Sequence, residues 1–267
     1  MKIDALIELA SKHSQQPSSP FIIPKDWSQG RTVFGGISAA MLYRAAREYV
    51  TADRLIRSIT TNFVGPLIYD EAFTIQVEVL REGKNVSQVL ARAVQDDKNC
   101  VIAQCCFGKP RESRISVKNT DTHDLELPTK AQFIPNIPKV TPKFLQHFDL
   151  SISSGGLPFT GRKSSHYDGW MRCKDAEKQI SEAHVIAMID AWPPTLIQQL
   201  RWPAPASTVS WNLEFIYPHS KLMPNDWFAY KNHTRQAADG YGHAEATIWD
   251  MHGKAIALSR QTVAVFD

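Results

Sequence analysis

Residues 62–66 read Asn-Phe-Val-Gly-Pro, and residues 214–218 read Glu-Phe-Ile-Tyr-Pro. The agreement continues on both sides. After the first copy comes a strand pattern through Glu78–Gly83 and a hairpin signal at Asp96-Asp97-Lys98-Asn99. After the second comes a strand pattern reaching Asp239-Gly240 and a hairpin signal at Asp250-Met251-His252-Gly253. An apolar helical segment precedes each copy, Gly35–Tyr49 in one and His184–Leu200 in the other. A helix-then-sheet unit used twice implies two similar half-domains fused in one chain.

Within each unit the periodicities are plain. GGISAAMLYRAAREY (35–49) gathers Ile37, Met41, Leu42, Ala45 and Ala46 on one helical face. Ile56–Phe63, Phe73–Arg81, Val86–Gln95 and Cys100–Phe107 read as strands, and the turns between them favour an antiparallel meander. A lone helix and a meander bury each other only if the sheet wraps the helix. The second unit opens with Phe144–Ser151 and Gly169–Lys174 as expected strands. A helix over Ser181–Asp190 follows, and Trp192-Pro193-Pro194 interrupts or restarts it. Thr208–Ile216, Trp227–Gln236, Gly242–Trp249 and Ala255–Val265 complete the unit. Residues 2–13 suggest an opening helix. The organisation expected is therefore 1–110, a Pro-, Thr- and charge-rich linker at 111–142, and 143–267.

Composition removes several functions. The 267-residue chain has a net charge of +3, and no basic run is interleaved with aromatic residues, so nucleic acid is not an expected partner. No window approaches the ~20 apolar residues of a membrane helix, and Met1–Glu8 lacks the apolar core of a signal peptide. A cytoplasmic location with no membrane partner is the default expectation. Cys100, Cys105, Cys106 and Cys173 show neither disulfide nor metal spacing, and Cys105 and Cys106 should face opposite sides of a strand. The histidines form no ligand pattern on one element, so neither metal nor cofactor is expected. There is no nucleophile elbow, phosphate loop or dinucleotide fingerprint. Gly35-Gly36 fits close packing where a helix enters a sheet, or backbone N–H groups that hold an anion or oxyanion.

Three polar residues of the second unit stand among apolar neighbours. Asp190 ends the run Val185-Ile186-Ala187-Met188-Ile189, where a carboxylate is costly to bury unless paired or put to use. The alternative is a helix or turn cap. Thr208 opens a strand, as a good strand former does. Gln261 lies in the last strand, where a lone glutamine ordinarily faces solvent.

FGGISAAMLYRAA, RSITTNFVGPL, VEVLREGKNVSQVLARAVQDDKN and WDMHGKAIALSRQTVAVF resemble the acyl-CoA thioesterase II family, across most of the chain and least over 111–160. The resemblance implies an α+β double hotdog: two fused hotdog units, each an antiparallel sheet wrapped around a helix. It implies hydrolysis of acyl-CoA to free acid and CoA, with an aspartate in the second hotdog helix, a threonine opening the following strand and a glutamine in the last strand. The matching positions are Asp190 in MIDAWPP, Thr208 in ASTVSWNLEF and Gln261 in ALSRQTVAVF. By hotdog geometry, the carboxylate would take a proton from water held by Thr208 and Gln261, and the water would attack the thioester directly. Gly35, Gly36 and Arg57 are the expected substrate-binding positions, with Gly36 serving the oxyanion. Lys84, Arg162 and Lys163 are further candidates for the CoA phosphates.

The first half offers Gly35-Gly36-Ile37-Ser38 where the repeat would place an acid near the start of its helix. Matching the hairpins sets Gln104 opposite Leu258 and not Gln261, so one working site per chain is expected. Two other readings are a non-catalytic acyl or acyl-CoA binding protein and an enoyl-CoA hydratase or dehydratase. The latter needs an Asp/His pair, and His184 lies off the Asp190 face. Trp170, Trp192, Trp202 and Trp211 suit either an aromatic pocket lining or a packed core. Exposed sheet edges suggest a homo-oligomer.

Overall fold

The computed structural model describes residues 1–267 apart from 132, 136, 138–140 and 176–179. In chain order the elements are α1 (Ile3–Ser11), β1 (Phe21–Ile22), β2 (Ser28–Gln29), β3 (Thr32–Val33), α2 (Gly35–Arg47), β4 (Leu55–Phe63), β5 (Ala72–Glu82), β6 (Val86–Gln95) and β7 (Lys98–Gly108). The second half supplies β8 (Phe148–Ser154), β9 (His166–Cys173), α3 (Glu182–Ile189), β10 (Ala206–Phe215), β11 (Phe228–Ala238), β12 (Tyr241–Trp249) and β13 (Ala255–Val265). Among the described residues, eleven strands form one antiparallel sheet in the order β1-β5-β6-β7-β4-β10-β13-β12-β11-β9-β8. α2 and α3 pack against one another within its curve. This is the α+β double hotdog that the resemblance implied.

The meanders close as their turns dictate. Asp96 and Asp97 both have positive φ, 49° and 59°, as do Asp239 and Gly240, 54° and 78°. Two consecutive left-handed residues make the tight turn whose twist matches that of paired strands. The two meanders are joined by β4 and β10, which run antiparallel with Trp211 opposite Thr61 and Leu213 opposite Ile59. On the outer face of this seam Thr60 Oγ1 donates to Asn212 Oδ1 at 2.9 Å. On the inner face the Trp211 indole is buried and donates to Ser259 Oγ at 2.9 Å.

α2 is rich in alanine, a strong helix former, and its basic residues Arg44 and Arg47 fall in the last turn, where they oppose the helix dipole. Arg47 also ends the helix, donating to the carbonyls of Val50, Thr51 and Ala52 at 2.8, 3.2 and 3.1 Å. Nearly all of its circumference is buried, as a helix wrapped by sheet requires. Small residues let α3 approach. A Cβ on Gly36 would stand 2.9 Å from the Ala187 carbonyl and 2.5 Å from the Phe34 ring, so close packing accounts for that glycine. α3 starts at Ser181, whose side chain and backbone N–H exchange hydrogen bonds with His184. It stops at Ile189, and after the double proline only the 3-10 turn Thr195–Gln198 is helical.

Several expectations shift in detail. Lys143–His147 is a 3-10 turn, so the strand expected from Phe144 begins at Phe148. Phe144 instead turns inward and stacks on Phe34, ring centroids 3.9 Å apart. The strand expected over Gly169–Lys174 begins earlier, at His166. β1, β2 and β3, of two residues each, are too short to show an alternation in the sequence. Segment 111–142, in part outside the described residues, carries no helix or strand where it is described. Phe133 anchors it between Tyr167 and Trp192, at 5.3 Å from each ring.

Candidate active site

Asp190 occupies the C-cap of α3, so the cap reading is correct for its backbone. Its side chain has a second role. Gln261 Nε2 donates to Asp190 Oδ1 at 3.0 Å, across residues 71 apart in sequence. Burial pushes the carboxyl up to about 7, against smaller downward pulls from the Gln261 amide and then the Gly36 backbone N–H. A carboxyl of this kind is half ionised near neutrality, a condition that suits a general base.

Gln261 faces inward because β13 alternates, with Ala257, Ser259 and Val263 buried on the same side. Its cross-strand partner is Trp211 on β10. Thr208 reaches that side by an irregularity. The pairing of β10 with β13 slips between Thr208 and Ser210, so the residue in phase with Trp211 would have been Val209. Val209 instead stands out to solvent, and Thr208 lines the cavity that contains Asp190 and Gln261. A bulge inserts one residue and re-aims the next. No sequence pattern announced it.

This cavity has a volume of about 510 Å³. Its wall combines the β3–α2 corner with the end of β4, including Gly35, Ser38, Phe63 and Pro66, and the start of β10. Arg31 lines it from the first half and was not singled out from sequence; a cation in a turn leaves no signal distinguishing it from a solvated charge. Gly35 lies closest to the acid. A Cβ there would sit 3.0 Å from Asp190 Oδ2 and 2.9 Å from Phe63 Cε1. A second, apolar cavity of about 350 Å³ meets the first at Gln29, Asp190, Trp192, Pro194 and Ala206. Phe144, Leu157, Phe159 and Ile197 line it, together with described parts of segment 134–142. Trp192 lines both, held by stacking on Tyr230 at 4.9 Å. The carboxylate therefore stands where a mixed polar cavity meets an apolar one.

The remaining expectations distribute as follows. Gly36 turns its N–H toward Asp190, which gives it a role in holding the carboxylate. Arg57 lines a different cavity, donating to the Gly108 carbonyl at 3.2 Å and lying over the Tyr217 ring. Lys84, Arg162 and Lys163 do not line the Asp190 cavity. His184 is turned away, bonded to Ser181 and paired with Asp4 at 3.4 Å, which leaves Asp190 without a histidine from its own helix. Among the four tryptophans, Trp192 alone borders the two cavities; Trp211 is core, Trp170 lies in a satellite cluster and Trp202 is 82% exposed. Cys105 is buried and Cys106 half-buried, on opposite faces. Among the described residues no group of three potential metal ligands converges, and no helix is long and apolar enough to cross a membrane.

The strand pairing also corrects the comparison of halves. The bulge of β10 has a counterpart in β4, between Ile56 and Ser58. Aligned on the two bulges, Ile56 matches Thr208 and Ile59 matches Trp211. The partners of Ile59 and Trp211 are Cys105 and Gln261. Gln104 thus corresponds to Arg260, not to Leu258, because the turn after β6 and the turn after β12 differ in length. The acid also lies at the end of its helix and not near the start. Counting from the first residue of each helix matches Asp190 with Tyr43.

Family models describe the two halves. The acyl-CoA thioesterase N-terminal domain matches residues 23–108, and the acyl-CoA thioesterase C-terminal domain matches residues 123–265. The chain belongs to the acyl-CoA thioesterase family. It is a thioester hydrolase. Acyl-CoA thioesterase 2 of Haemophilus influenzae is 24% identical over 254 residues, covering 86% of each chain. Two solved structures share the fold. A hot dog protein of unknown function from Alicyclobacillus acidocaldarius has a TM-score of 0.78 at 20% identity, over 95% of this chain and 97% of the other. The tesB protein of Mycobacterium avium subsp. paratuberculosis has a TM-score of 0.74 at 17% identity, over 99% and 98%.

Proposed function

We propose that this thioesterase hydrolyses acyl-CoA by direct attack of water, with Asp190 as general base and Thr208 and Gln261 orienting the water. The observation that carries the reading is the placement of one raised-pKa carboxylate at the junction of a mixed and an apolar cavity. A thioester laid across this junction puts its acyl chain on the apolar side and its carrier on the other. Water bonded to Asp190 loses a proton as its oxygen bonds to the carbonyl carbon. Collapse of the tetrahedral adduct breaks the C–S bond, and Asp190 returns the proton to the departing sulfur. A thioester is already activated, so one positioned base supplies most of what the chemistry needs.

Rapid mixing with an acyl-CoA and a thiol-detecting reagent tests the mechanism. Free CoA and free acid should appear together from the first turnover. A burst of CoA ahead of acid, or an acyl hydroxamate formed from hydroxylamine at an unchanged rate of CoA release, would establish an acyl-enzyme instead. Tight acyl-CoA binding without turnover would leave the binding-protein reading.

The pH profile carries a second test. Only ionised Asp190 accepts a proton, so kcat/KM should rise through an acid limb centred near pH 7. The Gln261 amide lowers the acid's pKa by bonding its charged form. Gln261→Ala should therefore move the acid limb upward while reducing kcat about 10- to 100-fold. A limb that stays in place would remove Gln261 from contact with the base.

A further inference from the structure

The two halves are related by an approximate two-fold axis between α2 and α3 and between β4 and β10, both antiparallel pairs. At one end of the helix pair Gly35 lies against Asp190; at the other, Tyr43 lies against Glu182, its hydroxyl 3.4 Å from Oε2. The catalytic cavity thus has a counterpart. Where Phe63–Leu67 and Ala206–Thr208 wall the first, Tyr217–His219, Leu55 and Arg57 take corresponding places around a cavity of about 1100 Å³.

Each catalytic position corresponds there to a residue that does not line the cavity. Tyr43 stands for Asp190, Cys105 for Gln261 and Ile56 for Thr208, and all three are buried. The one carboxylate at the inner end, Glu182, accepts from Tyr217 at 2.8 Å as well as from Tyr43. With its two oxygens so engaged it is poorly placed to activate water. The mouth, by contrast, is cationic. Arg57 is fixed over the Tyr217 ring at 5.2 Å, and Lys109 pairs with Asp53. Arg111 and Lys221 line the same opening and are exposed. The catalytic cavity has Arg31 alone among lysines and arginines in its described wall. Cations spread around one concave opening focus a positive potential and suit a ligand bearing several phosphate charges.

We propose that this cavity is a second, non-hydrolytic site that binds coenzyme A through its phosphate-bearing end. The choice of coenzyme A rests on the acyl-CoA reading above. The ligand enters at the Arg57–Lys221 mouth, and the Tyr43–Glu182–Tyr217 cluster closes the path by which a thioester would reach the helix pair.

Calorimetric titration of the full chain with free coenzyme A tests this. Two molecules per chain are expected for the wild type. One is expected for Arg111→Glu/Lys221→Glu, the lost event being weakened about tenfold or more, with kcat unchanged. Arg111→Gln/Lys221→Gln should fall between, which controls for a misfolded charge-reversal variant. Adenosine 3′,5′-bisphosphate should compete for the second event, and pantetheine, which lacks the phosphates, should not. A single event that persists in both variants, or equal competition by pantetheine, overturns the proposal. A single event abolished by Arg111→Glu/Lys221→Glu upholds it and counts instead against the Asp190 cavity as the acyl-CoA site.

Discussion

Asp190→Asn should hydrolyse acyl-CoA about 10²–10⁴-fold more slowly than the wild type and yet be the more stable protein above neutrality. The two effects share one cause. Burial holds the Asp190 carboxyl near 7 against an ordinary value of 3.8, so the folded state binds this proton more tightly than the unfolded chain does. The stability this confers is fully present below about pH 4 and is lost as the pH rises through about 7. Asparagine has nearly the same shape, can still accept from Gln261 and never ionises. The shift sets a ceiling of about 4 kcal/mol. The carboxylate keeps some access to solvent through the cavity, so a gain on the order of 1–3 kcal/mol is expected at pH 8. Denaturant titrations of both proteins at pH 4 and pH 8, beside acyl-CoA assays, give the answer. Equal stability of the two proteins at both pH values would mean that the carboxyl is not held protonated by its surroundings. Full activity in Asp190→Asn would remove it from the mechanism altogether.

Gly35→Val should lower kcat about 10²-fold while leaving the fold intact. The backbone at Gly35 is ordinary helix, so the substitution meets no conformational strain; the obstacle is space. A Cβ would stand within 3.0 Å of Asp190 Oδ2 and within 3.0 Å of two Phe63 ring carbons, closer than such atoms settle. The valine methyl groups must displace the carboxylate or the ring. A misplacement of about 1 Å at a reacting group costs about 10² in rate. Gly35→Ala, with only the Cβ, should lie between. The informative comparison is of kcat against the unfolding midpoint. A loss of stability that accounts for all the lost activity would make Gly35 a packing residue only.

Asp190 is visible as an acid in an apolar run, because a charged residue among Val, Ile, Ala and Met breaks a local rule and so draws notice. Gly35 is visible as half of a pair, but its importance depends on which atom stands 3 Å away. That atom belongs to a residue far along the chain. Gln261 shows the limit more sharply. In the strand alone it is another polar residue beside Arg260 and Thr262, and solvent is its ordinary direction. The side it faces follows from the run of β13 against β10, which local alternation constrains but does not determine. Only the family resemblance singled it out in advance.

The direction of Thr208 was hidden by a different cause. The residue faces the cavity because β10 carries a bulge, and simple alternation from Trp211 would have turned Val209 inward. The counterpart bulge at Arg57 shows that hairpin matching misaligns Gln104 by two places. Loop lengths differ between the halves, while the strand pairing keeps the true correspondence.

The sequence by itself determined the duplicated helix-and-meander plan, through hydrophobic periods and turn residues that act over a few neighbours. From sequence the counterpart of the acid is expected at Gly35–Ser38, and only the paired helices place that counterpart at Tyr43. The tertiary structure alone decided which residues meet Asp190, how burial sets its pKa and which side chains line the second cavity. Those depend on packing across the β4–β10 seam and between α2 and α3, where distance in space bears no fixed relation to distance along the chain.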